Sequence, residues 1–137
     1  MRRLDGAPGI LHPDLARTIT ATGHTDLIVV TDAGLPIPLD VERIDLALRP
    51  GIPSFVDVLD AVLAELQVEG ATAAEEMARE NPDVFAVLAE RLAAIGVEVR
   101  LVPHLEFKAL SQGARAFVRS GEFTPFANVI LHAGVPY

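Results

Sequence analysis

Apolar positions along this chain recur with two different periods, and the change from one to the other marks its elements. Leu11, Leu15 and Ile19 return every fourth residue, Pro13 suits a first turn and Gly23 a stop, which predicts a helix over 11–22. Residues 26–31 then form an Asp-Leu-Ile-Val-Val-Thr run, rich in β-branched side chains and without alternation. That pattern predicts a strand buried on both faces, as in mostly parallel sheets. A Gly/Pro-containing loop over 32–42 follows, its prolines fixing φ and removing two backbone donors. Residues 43–48 alternate as a short strand and 49–53 form a turn. Phe55, Val58, Leu59, Val62, Leu63 and Leu66 lie on one stripe of a helix over 54–66.

The second half continues the alternation. Residues 67–73 read as a strand whose signature is weakened by Gly70 and the alanines. A short helix over 75–80 precedes a longer one over 82–95, opened by Pro82 and ended by Gly96. Val84, Leu88, Leu92 and Ile95 form its apolar face. A strand over 97–102, a helix over 103–111 and strands over 114–119 and 128–132 complete the chain, the last two joined by a loop over 120–127. Strands alternating with helices place the protein in the α/β class, with a layered sheet. A length of 137 residues suits one domain, spanning 1–137.

Composition narrows the functions. Half of the residues are hydrophobic, enough for a packed core. No apolar run approaches the ~18 residues of a membrane span, and no apolar segment follows the basic Met1-Arg2-Arg3 start, so the expectation is a cytoplasmic protein with no membrane partner. The chain has no cysteine, which excludes disulfides, a thiolate nucleophile and Cys-based zinc sites. A net charge of −8 argues against a nucleic-acid partner. Trp is absent and the single Tyr is Tyr137, so Tyr or Trp stacking adds little to a ligand site.

The candidate chemistry is thin. Four histidines occur, His12, His24, His104 and His132, and no two have the i, i+2 or i, i+4 spacing of a local metal pair. No phosphate-cradling glycine motif and no Gly-x-Ser-x-Gly elbow is present. Histidine and carboxylate remain as the acid/base stock. His24 stands just before the 26–31 strand and Asp32 just after it. Ligands of open α/β sheets bind outside the carboxyl ends of strands, which is the Asp32 end. At ~3.3 Å per residue the two are separated by roughly 20 Å or more. Uniting them in one site requires a second chain or a sharp bend. A plainer role stands beside each candidate. His24 would bond a backbone carbonyl or cap the preceding helix, and Asp32 would close an Asx-turn. His104 would flank a helix start, and Asn128 would pair with backbone. Glu122 would be solvated, and His132 structural within a buried strand.

The stretch Gly-His-Thr-Asp-(x)5-Asp-Ala-Gly-Leu-Pro-Ile-Pro at 23–38 closely resembles the D-ribose pyranase family, the RbsD/FucU group. Further matches are Arg-Ile-Asp-x-Ala-Leu at 43–48, Gly-x-Pro-Ser-Phe at 51–55 and Ala-Glu-Glu at 74–76. Val-Arg-Ser-Gly-Glu at 118–122 and Pro-Phe-Ala-Asn-Val-Ile-Leu at 125–131, followed by Ala-Gly-Val, extend the resemblance over nearly the full length. It implies a three-layer α/β/α fold with a mostly parallel mixed sheet of about six strands. It also implies an isomerase that interconverts the β-pyranose and β-furanose forms of D-ribose, with no metal and no cofactor. The resemblance makes His24 the proton donor. It places Asp32, His104 and the Phe126-Ala127-Asn128 segment on the sugar. Phe126 stands where the family usually has tyrosine, so one hydroxyl is missing. The resemblance further implies a homo-oligomeric ring, pentamer-based and stacked to a decamer, with sites at subunit boundaries. Two other functions stand against this one: an L-fucose-type mutarotase and a non-catalytic sugar-binding module.

Overall fold

A computed structural model describes residues 1–5 and 9–137. Helix α1 (Pro13–Ala21) leads into β1 (Leu27–Thr31), β2 (Glu42–Asp45) and α2 (Phe55–Glu65). Then come β3 (Val68–Ala74), α3 (Glu75–Glu80), α4 (Pro82–Ala93) and β4 (Val99–Val102). Helix α5 (His104–Ser111) and strands β5 (Ala116–Arg119) and β6 (Val129–Ala133) end the chain. Both helices start later than the sequence expectation: Ser54 caps α2 by accepting the Asp57 N–H, and His12 Nδ1 caps α1 by accepting the Leu15 N–H, which leaves Leu11 outside α1 and exposed.

Six strands form one sheet in the order β2-β5-β1-β6-β3-β4. β6 runs antiparallel to both of its neighbours, and the other pairs are parallel. This is the mostly parallel mixed sheet expected. β1 is buried on both faces, as its unbroken apolar run predicts. Ile28 and Val30 point into a core shared with Leu15 and Ile19 of α1, Leu59 and Val62 of α2, and Leu88 and Leu92 of α4. Val29 points the other way, to Phe107 of α5, Phe117, Ile130 and the loop residues Leu35 and Ile37. Helices therefore cover both faces, which gives three layers.

Strand ends shift by up to three residues from the sequence expectation, and three strands show why. β2 stops at Asp45 rather than 48, because the Leu46 N–H still reaches Arg119 O at 2.9 Å while Leu48 already bonds Ile52 O in the following turn. β4 begins two residues late, because Gly96 takes φ +76° and the Val97 N–H turns back onto Leu92 O to close α4. β3, weak in sequence, is the longest strand, with seven residues. Gly70 packs beside His132, where an added Cβ would meet the side chain at 3.4 Å, an ordinary contact. His132 itself is half-exposed near the strand end rather than buried.

Candidate functional site

Strand direction decides which residues meet. Asp32 follows β1, His104 follows β4 and Glu122 follows β5, so all three emerge at the carboxyl edge of parallel strands. β6 is reversed, and Val30 pairs with Val129, so the residue preceding β6, Asn128, arrives at that same edge. The four border a cavity of about 510 Å³, within the usual range for small-molecule sites. Phe126 and Lys108 also line it.

Asp32 and Asn128 are locked together. Asn128 is buried, its Oδ1 accepts the Asp32 N–H at 2.9 Å, and its Nδ2 donates to Asp32 Oδ2 at 3.1 Å. Asp32 Oδ1 accepts from Gly34 and Leu35 N–H at 3.0 and 2.9 Å. That is the Asx-turn the sequence allowed, now fixed beside a cavity. An ionised carboxylate has about four lone-pair positions, so Asp32 retains capacity for a ligand hydroxyl. Asn128 likewise keeps one amide hydrogen.

His104 opens α5, and its own N–H donates to both oxygens of Glu76, at 3.2 and 2.9 Å. Its ring sits edge-on to Phe126, centroids 5.0 Å apart, and parallel to Phe107 at 6.1 Å. His104 Nδ1 is buried and has no hydrogen-bond partner among the described residues. Leaving a buried ring nitrogen unpaired costs free energy, and His104 also lines the cavity. Phe126 takes φ +57°, and the Asn128 N–H closes the turn onto Phe126 O at 2.8 Å. Backbone strain of this kind concentrates at functional sites. Ala127, between them, is fully buried in the α2-side core and does not line the cavity.

Glu122 corrects the sequence expectation of a solvated side chain. Its Oε1 accepts the Phe55 N–H at 3.0 Å and its Oε2 the Thr124 hydroxyl at 2.9 Å, tying the 120–127 loop to the start of α2. Lys108, the single lysine of the chain, went unnoticed in the sequence, although it follows His104 by one helical turn and so shares its face. Arg119 is a further lining residue missed there; it donates to Ala33 O and pairs with Asp45 at 3.1 Å.

His24 lies elsewhere. It sits at the opposite end of β1, where its Nε2 is 3.0 Å from the Glu69 carboxylate, and it does not line the cavity. Leu27 pairs with His132, so the reversed β6 brings His132 to the His24 end. Within one chain Asp32, His104, Phe126 and Asn128 come together, and His24 stays apart.

The chain matches the RbsD / FucU transport protein family over residues 6–136. It belongs to that family. It is 54% identical over 127 residues to the D-ribose pyranase of Laribacter hongkongensis, covering 93% of this chain and 95% of the relative. D-ribose pyranase 1 of Rubrobacter xylanophilus is 52% identical over 129 residues, covering 94% and 97%. The structure of Bacillus subtilis RbsD complexed with D-ribose matches with a TM-score of 0.90 at 43% identity, covering 94% of this chain and 97% of that one. The fucose mutarotase of Streptococcus pneumoniae, in complex with L-fucose, matches with a TM-score of 0.77 at 24% identity, covering 96% and 99%, and shares the fold. No helix among the described residues is long and apolar enough to cross a membrane.

Proposed function

We propose that the chain, as one domain over 1–137, is a D-ribose pyranase that interconverts the β-pyranose and β-furanose forms of the sugar in the cytoplasm. The observation that carries this reading is the cavity at the carboxyl edge, with Asp32 and Asn128 interlocked opposite an unpaired His104 Nδ1. It is supported by the likeness to an RbsD structure that holds D-ribose.

A pyranose opens when its ring oxygen gains a proton as the anomeric hydroxyl loses one. The open aldehyde rotates, a different hydroxyl attacks C1, and the ring recloses at another size. Each half-reaction needs one acid and one base, and a histidine near neutral pH can serve as both in turn. His24 takes that role. Asp32 accepts sugar hydroxyls, Asn128 donates its free amide hydrogen, and His104 Nδ1 makes a further polar contact. Phe126 packs its ring against the sugar's apolar face. Ala127 contributes through its backbone.

His24 and Asp32 stand at opposite ends of one buried strand, so the complete site takes His24 from a neighbouring subunit. A ring of identical subunits, pentamer-based and stacked as a decamer, supplies such heterologous contacts. Exchange NMR between the pyranose and furanose anomeric signals of D-ribose tests the reaction: the wild type accelerates exchange and His24→Ala returns it to the solvent rate. A His24→Ala protein with the full rate would sink the role of His24, and a wild type that binds ribose without acceleration would leave a binding module. Mixing inactive His24→Ala with inactive Asp32→Ala subunits tests the shared site. Random reassembly restores roughly a quarter of the sites if they are shared and none if they are not.

A further inference from the structure

Assigning the proton to His24 raises the question of which ring nitrogen moves it. Both carboxylate oxygens of Glu69 lie 3.0 Å from His24 Nε2. A carboxylate only accepts, so Nε2 carries a hydrogen in this contact. We infer that Glu69 is a positioning residue that pins His24 as the Nε2–H tautomer and leaves Nδ1 as the atom that exchanges protons with the sugar. This rests on the function proposed above for His24. A carboxylate that orients an imidazole through one nitrogen while the other works is a recurrent device of histidine sites.

The neighbouring polar groups are hydrogen-bonded elsewhere. The neighbouring His132 has its own partner, Thr72 Oγ1 at 3.1 Å. The amino group of Met1 donates to Gly134 O at 2.8 Å. Asp26, the nearest other carboxylate in sequence, accepts from the Gly23 N–H and from Arg115 at 2.8 and 3.0 Å. Glu69 is thus the carboxylate left for His24. Space is kept for it: a Cβ on Gly134 would stand 3.0 Å from Glu69 Oε2 and 3.1 Å from its Cβ. The backbone beyond His24 is fixed as well. Thr25 is held at φ +70°, with its N–H bonded to Ala133 O at 2.9 Å. The ordinary alternative is a surface ion pair contributing to stability. With side chains 50% and 48% exposed, such a pair contributes little to the fold. Orientation of the ring is the better account.

The test combines ring-nitrogen NMR of 15N-histidine-labelled protein with D-ribose exchange kinetics on wild type, Glu69→Gln and Glu69→Ala. In the wild type the neutral His24 ring shows a protonated Nε2 and a bare Nδ1. In Glu69→Ala the tautomers mix and turnover falls on the order of 10–100-fold, with KM within about twofold of wild type. Glu69→Gln keeps an acceptor oxygen and recovers part of the loss. Thermal melting stays within about 2 °C for both variants, which separates positioning from folding. Wild-type turnover in Glu69→Ala, or a wild-type ring protonated at Nδ1, overturns the inference. A wild type inert toward D-ribose instead refutes the function, and the nitrogen spectra then decide the Glu69 contact independently.

Discussion

Replacing Asn128 by Ala removes the one side chain that holds Asp32 from two directions. Two hydrogen bonds go: the Asp32 N–H loses Oδ1 at 2.9 Å, and Asp32 Oδ2 loses Nδ2 at 3.1 Å. A neutral bond contributes about 0.5–1.5 kcal/mol net and one to a charged group about 1.5–3 kcal/mol. The sum is roughly 2–4 kcal/mol, because Asn128 is only 2% exposed and water cannot take its place without cost. Against a typical total of about 5–15 kcal/mol that is a large fraction. At this chain length it lowers the melting temperature by roughly 8–15 °C. The Gly34 and Leu35 N–H bonds to Oδ1 survive, so the loop keeps its turn but Oδ2 is released. Ribose affinity should then fall about tenfold or more, the equivalent of ~1.4 kcal/mol. Differential scanning calorimetry and ribose titration calorimetry read the two effects. A melting point within about 2 °C of wild type would refute the interlock as a structural element. Unchanged ribose affinity would refute its link to the site.

Gly121→Ala should be at least as damaging, because the new Cβ would stand 2.4 Å from Ile52 O and 2.8 Å from Arg49 O, backbone atoms that cannot rotate away. Breaking the paired bonds between Gly121 and the 51–53 turn predicts a loss of about 3 kcal/mol or more, visible in urea unfolding, and a wild-type midpoint would contradict it. Burial pushes the His132 imidazole below its ordinary pKa, with Glu69 opposing and Arg100 adding to the shift. The unfolded chain therefore takes up that proton first, and the associated stability is held above pH ~6.5 and lost as pH falls below it. His132→Gln, which keeps a partner for Thr72, should flatten the loss of stability as pH falls below ~6.5; an unaltered slope counts against it. Phe126→Tyr restores the missing hydroxyl beside the cavity. It should tighten ribose binding roughly 2–10-fold, the worth of one net hydrogen bond, and equal or weaker binding would show that no acceptor faces that position.

The sequence made β1 easy to read and the site hard to assemble. Five consecutive apolar or β-branched residues leave little choice for β1, and the stripe of α2 is equally direct. β3 was nearly hidden, because alanines and a glycine lack the bulk that marks strands, and its pairing with β6 and β4, which makes it a strand, is not visible in the sequence. Glu122 looked solvated because nothing local reveals that its partner is the Phe55 N–H, 67 residues away. Lys108 was within reach, one helical turn from His104, but a lone lysine on a helix is ordinarily just a solvated charge.

The direction of β6 explains why one sheet carries candidate site residues at both ends. In an all-parallel sheet, Asn128 and His132 would exchange ends, and the Asp32 carboxylate would lose the amide that fixes it. Reversal of β6 sends Asn128 to Asp32 and His132 toward His24 and Glu69. It also keeps the two ends apart. β1 is the central strand between them, buried on both faces and paired on both edges, so no hinge within it can fold His24 onto Asp32. A strand of this length spans roughly 16 Å before its flanking residues are counted, several times the reach of a hydrogen bond. The same pairing that makes each half-site rigid therefore prevents either from completing itself. Rigid half-sites joined by association place their groups with less loss of freedom than a loop closing over a sugar would. Under the proposed shared site, the His24 end and the Asp32 end of the fold are the surfaces that subunits must bring together, and closure of the proposed ring is what would complete the catalyst.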